Sequence, residues 1–103
     1  MKINVVFNKY ISNYQKALEI IESSLCTKKI DFKVFELDSM ENYGEFTIVI
    51  GGDGTLLRAA RFYSEWQIPV LGINLGRLGF LSQGVASEVD SILDAIIKKE
   101  YFL

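Results

Sequence analysis

Apolar positions along the chain follow two alternating rhythms, and that alternation predicts the fold class before any motif is considered. Ile3 to Phe7 reads as a first strand. Ser12 followed by Gln15 has the form of a capping box, and Tyr14, Ala17, Leu18, Ile21 and Leu25 then recur on one helical face, which predicts a helix to about Cys26. Phe32 to Leu37 alternates apolar and charged residues, as in a strand with one more exposed face, and Asp38 to Glu45 reads as a polar loop. Phe46 to Ile50 is a continuous apolar run ending at Gly51-Gly52, the mark of a central parallel strand covered on both faces. A helix from about Leu56 to Trp66 follows, and Pro69 then opens a buried strand, Val70 to Asn74. After a glycine-bearing loop, Ser87 and Asp90 repeat the capping signal. Val89, Ile92, Leu93, Ile96 and Ile97 form one apolar face of a last helix that ends near Glu100, with Lys98 and Lys99 at the negative end of its dipole. Strand and helix alternating over short connections predict an α/β domain: a parallel sheet with helices on both faces, a Rossmann-like or flavodoxin-like three-layer αβα arrangement.

Composition narrows the chemistry. The chain has 103 residues, half of them hydrophobic, which fits one domain with one core. It has no His and only Cys26, so a Cys/His zinc site, a His-activated nucleophile and an internal disulfide are excluded within it. Any base must be a carboxylate, Lys or Tyr. The single Cys reads as a buried apolar residue at the end of its helix. One unpaired Cys and no apolar leader point to the cytoplasm, and no stretch reaches the roughly 20 apolar residues of a membrane span. A net charge of −2 argues against a general nucleic-acid partner. All three arginines and seven of the eight glycines fall between Gly51 and Gly84, so chemistry is sought there. Tyr10, Tyr14 and Tyr63 read as core or surface aromatics.

The loop Gly51-Gly52-Asp53-Gly54-Thr55 leaves the central strand at the edge where parallel sheets gather ligands. Its glycines let backbone amides approach a phosphate, and the amides of the following helix favour an anion, so Gly51, Gly52, Gly54 and Thr55 form a candidate phosphate-binding loop. Neither common nucleotide fingerprint fits: Leu57 stands where G-x-G-x-x-G needs its last glycine, and the Gly-Lys-Ser/Thr ending of a Walker A loop is missing. Asp53 is the unusual member. It could accept the proton of an attacking hydroxyl, hold a metal ion that bridges phosphates, or simply form a tight turn with its own backbone. Arg58, in the first turn beyond the motif, is a second candidate for an anion, against the plain alternative of a solvated surface arginine.

A second glycine loop, Leu71-Gly72-Ile73-Asn74-Leu75-Gly76-Arg77-Leu78-Gly79-Phe80-Leu81, leaves the next strand at the same edge, with Asn74 able to donate and accept and Phe80 offering an apolar plate. With the first loop, it resembles the amino-terminal domain of the NAD kinase family. The first loop alone is shared with diacylglycerol and sphingosine kinases and with 6-phosphofructokinases; the second is the specific one. The resemblance spans the chain in element order and is strongest from about Ile48 to Leu81.

The resemblance implies transfer of phosphate from ATP to the 2′-hydroxyl of the adenosine ribose of NAD, giving NADP, with a divalent metal such as Mg or Mn. Asp53 corresponds to the family's catalytic proton acceptor. Gly54, Arg58 and Phe80 correspond to positions that contact NAD. It further implies homo-oligomers and a second, β-rich domain carrying an Asn-Glu or Asn-Asp dinucleotide motif. No such domain is present among residues 1–103, and the apolar ending Tyr101-Phe102-Leu103 reads as the start of another strand, so the chain is expected to be the amino-terminal nucleotide-binding domain of a longer enzyme and inactive alone. A diacylglycerol-type lipid kinase and a non-catalytic nucleotide-binding module are the alternatives.

Overall fold

The computed structural model describes residues 1–11, 14–73 and 90–95. Four strands, β1 (Lys2–Phe7), β2 (Asp31–Glu36), β3 (Phe46–Ile50) and β4 (Val70–Ile73), form one sheet in the order β2-β1-β3-β4. Every pairing is parallel. Two helices, α1 (Tyr14–Thr27) and α2 (Asp53–Ser64), connect them, and residues 90–95 are helical as well.

Strand alternation sorts the core into two layers. Ile3 and Val5 of β1 and Phe46, Ile48 and Ile50 of β3 point to one face, where they pack with Ala17, Ile21 and Leu25 of α1 and with Leu93. Val6 and Val49 point to the other and meet Ala59 and Tyr63 of α2 and Leu37. All five residues of β3 are buried, as a central strand requires. The three-layer αβα arrangement follows, with α1 and residues 90–95 on one side and α2 on the other. At the surface, Lys28, just past α1, pairs with Asp90 and Asp94 at 3.2 and 2.6 Å, and the Ser24 hydroxyl of α1 donates to Asp90 at 2.6 Å. The Ser24 bond and then Lys28 hold the Asp90 carboxyl below its ordinary range.

A buried amide fastens the long loop before β3. Asn4 Nδ2 donates to Thr47 Oγ1 at 3.1 Å and to the Gly44 carbonyl at 3.4 Å, while Oδ1 accepts from the Tyr43 and Gly44 amides at 2.9 and 2.8 Å. Both ends of the side chain are satisfied, which offsets the cost of burying it.

Several expected boundaries move. Leu37 leaves β2 and enters a 3-10 turn, Leu37–Ser39, because the Glu36 carboxylate accepts from the Asp38 amide at 2.8 Å and Leu37 turns into the core. The expected polar loop therefore begins with a buried anchor. The second helix begins at Asp53 rather than Leu56 and ends at Ser64, since Gln67 takes a left-handed φ of 55° beyond Trp66. β4 is half-buried rather than buried along most of its length, and Cys26 is exposed, the neighbouring Leu25 taking the buried position. Ser12, Ser87, Asn74 and the final apolar triplet lie outside the described residues. No described helix is long and apolar enough to cross a membrane.

Candidate functional site

Strand order decides where a ligand can sit. From β1 the chain passes to β2 on one side, and β3 then lies on the other side of β1. The loops leaving β1 and β3 thus diverge at their carboxyl ends, opening the crevice typical of doubly wound sheets. The Gly51–Thr55 motif is one wall of that crevice. The exit of β4 lies beside it: Ile73 is in register with Ile50, and the Gly51 amide donates to the Ile73 carbonyl at 3.1 Å. The second glycine loop therefore starts next to the first, while Asn74, Gly76, Arg77 and Phe80 themselves lie outside the described residues.

The glycines have different reasons. A Cβ on Gly51 would lie 2.7 Å from Cβ, Cγ2 and Oγ1 of Thr55, so the tight return from β3 into α2 leaves no room for a side chain. On Gly52 and Gly54, by contrast, no described atom beyond the chain neighbours and the helix's own backbone lies within 4 Å of where a Cβ would stand. Packing among the described residues explains the first glycine and not the other two.

Gly52 is the N-cap of α2 and brings no side-chain cap. The first intrahelical bond is from the Leu56 amide to the Gly52 carbonyl at 3.0 Å, so the N–H groups of Asp53, Gly54 and Thr55 stand ahead of it with no helical acceptor. They offer an anion both hydrogen bonds and the positive end of the helix dipole. Asp53 is the first helical residue, exposed, and its carboxylate has no hydrogen-bond or ion-pair partner among the described residues. A carboxylate used only to close a turn would be bound to its own backbone. This one is free to meet a ligand.

Thr55 belongs to the site differently than expected. It is buried, and its hydroxyl accepts a hydrogen bond from Asn8 Nδ2 at 3.1 Å, so the side chain faces inward and the backbone amide is the group it offers a phosphate. Asn8 was not legible as a site residue; the one signal was a polar amide immediately after an apolar strand. Arg58 sits on the exposed side of α2 and pairs with Asp38 at 3.1 Å, both side chains more than half exposed. An exposed pair of this kind is worth at most about 1 kcal/mol, so Arg58 can exchange Asp38 for a phosphate at small cost.

Comparison with known proteins adds an independent line. Residues 3–101 match the family model described as the ATP-NAD kinase N-terminal domain. The chain is 41% identical over 73 residues to the NAD kinase of Mycolicibacterium paratuberculosis, an alignment covering 70% of this chain and 24% of that protein. It is 54% identical over 57 residues to the NAD kinase of Rhodococcus erythropolis, covering 55% and 18%, and 36% identical over 86 residues to that of Mycobacterium bovis, covering 82% and 28%. The chain thus spans about a quarter of the length of the curated relatives it matches.

Proposed function

The chain belongs to the ATP-NAD kinase family, and on that premise we propose that the protein carrying it transfers the γ-phosphoryl group of ATP to the 2′-hydroxyl of the adenosine ribose of NAD, giving NADP and ADP. The observation that carries the reading is the uncapped start of α2 at the sheet's switch point, with a carboxylate on its first residue and approaches over Gly52 and Gly54 that no described side chain occupies.

In this reading the 2′-oxygen attacks the γ-phosphorus, the bond to the bridging oxygen of ADP breaks, and Asp53 receives the hydroxyl proton. In a loose phosphoryl-transfer transition state, orientation of the nucleophile contributes more than early proton removal, so a carboxylate fixed on the first turn of a helix suits the task. The amides of Asp53, Gly54 and Thr55 bind phosphate oxygens, Arg58 meets a phosphate of the dinucleotide, and Phe80, with the second glycine loop, lines the NAD pocket. A divalent cation fits as a companion of the triphosphate. The described residues contain no group of three acidic, Cys or His side chains to hold one alone, and Asp53 supplies one hard oxygen ligand beside the phosphates. When bound, such an ion would neutralise charge on the transferred group.

The chain is proposed as the amino-terminal half of the cleft, completed by a β-rich domain and assembled into homo-oligomers, in the cytoplasm. The test is product analysis: the full protein, given ATP, Mg and NAD, should form NADP, whereas the isolated 103 residues should not. Phosphorylation of diacylglycerol in place of NAD would establish the lipid-kinase alternative, and binding of NAD or ATP without turnover the non-catalytic one.

A further inference from the structure

We propose that Asn8 is a positioning residue for Asp53, acting through Thr55 to hold the first turn of α2 against the loop that follows β1. The kinetic part of this inference rests on the reading above; its geometric part does not.

The two walls of the crevice come from separate parts of the chain, and a side-chain bond ties them. Asn8 Nδ2 donates to Thr55 Oγ1 at 3.1 Å across a sequence separation of 47. Each partner is itself fixed. Asn8 Oδ1 accepts from the Tyr10 amide at 3.0 Å and the Asn8 carbonyl accepts from the Ile11 amide at 3.1 Å, an Asx-type turn that holds the amide group in place. Thr55 is 6% exposed and wedged into the space that Gly51 leaves open. Asp53 lies two residues earlier on the same turn, and its carboxylate has no described partner to orient it.

The fully buried core contacts of α2, Ala59 and Tyr63, lie beyond its first turn, and the half-buried Leu56 packs on that core at the turn's end. With its amides uncapped, it is the part of the helix most prone to fray. The Asn8 bond supplies the restraint that a side-chain cap would normally provide, and does so from beneath, leaving the outer amides open to ligand. A carboxylate displaced by about 1 Å from its attack geometry can cost on the order of 100-fold in rate.

The experiment uses the full protein and four variants: Asn8→Ala, Thr55→Val, the double variant and Thr55→Ser. Asn8→Ala and Thr55→Val should each lower kcat by about 10- to 100-fold with KM for NAD and ATP within about twofold of wild type. The double variant should be no worse than the poorer single one, and Thr55→Ser, which keeps the hydroxyl, should recover most of the loss seen in Thr55→Val. Unchanged kcat, a rise in KM alone, or losses that multiply in the double variant would overturn the proposal. Hydrogen exchange at the Leu56 amide, which closes the first turn, supplies a readout independent of turnover. It should be faster in Asn8→Ala and in Thr55→Val, a near-isosteric change; unchanged exchange overturns the geometric claim. If wild type makes no NADP, the proposed activity fails and the exchange result alone decides the role of Asn8.

Discussion

Replacing Gly54 by Ala should make the protein more stable and less active. In the helix, Gly is less favourable than Ala by about 0.5–1 kcal/mol, and outside its chain neighbours and the helix backbone no described atom lies within 4 Å of the added methyl to oppose that gain. In the proposed site the same methyl stands where a phosphate would approach the amides of Asp53, Gly54 and Thr55. Losing one charge-assisted bond to a phosphate costs about 1.5–3 kcal/mol, which is roughly a 10- to 100-fold fall in kcat/KM for the full enzyme. Gly52→Ala should behave alike in activity, since its φ of −87° is open to Ala and its surroundings are equally clear. Gly51→Ala is the control with the opposite sign in stability. Its Cβ would lie 2.7 Å from three atoms of Thr55, and overpacking of this kind costs about 1–3 kcal/mol. Urea unfolding and steady-state NADP formation measure both axes. Full activity in a stabilised Gly54→Ala enzyme would falsify the assignment of that open space to the ligand, and a neutral Gly51→Ala would refute the packing argument.

The core and the surface yield further tests. Tyr63 is buried with its hydroxyl donating to the Glu41 carbonyl at 2.7 Å, and burial pushes its pKa from 10.0 up to about 12. Its contribution is complete below pH 10 and is lost as pH rises toward 12, so Tyr63→Phe should flatten the alkaline side of the stability profile while costing about 1 kcal/mol at neutral pH. Asn4→Ala strands two amides, a carbonyl and a hydroxyl; roughly 2–5 kcal/mol should be lost in denaturant titrations, with no change in KM for the folded fraction. Arg58→Ala should shift stability by less than about 1 kcal/mol because its pair with Asp38 is exposed, yet raise KM for NAD; an unchanged KM would return Arg58 to the solvated surface.

The parts of the fold that were legible in the sequence are those written in local periodicity. The apolar run of β3 and the helical face Ala17, Ile21, Leu25 each correspond to a buried stripe in the structure. The errors have physical causes. Gly and Asp are poor helix formers in a helix interior, which concealed that Gly52 could serve as N-cap and Asp53 as first helical residue. Cys26 borders an apolar face, which suggests burial, but Leu25 occupies that position and turns its neighbour to solvent. Within the site, the glycine loop and Asp53 stand out by their place after a buried strand and by the two-loop motif. The Asn8–Thr55 bond and the Arg58–Asp38 pair join residues 47 and 20 positions apart, and no local pattern encodes them; they exist because the strand order brings those loops together.

The central claim, that a carboxylate at the start of α2 serves phosphoryl transfer to NAD, is tested most directly by NADP formation in the full protein carrying Asp53→Asn. The side chain is exposed and has no described partner, so the substitution should lower stability by no more than the roughly 0.3–1 kcal/mol of its charge at the helix N-terminus. Turnover should fall by roughly 100-fold or more with NAD still bound, as expected for loss of the group that orients and accepts the proton. A folded Asp53→Asn enzyme that makes NADP at the wild-type rate would contradict the account.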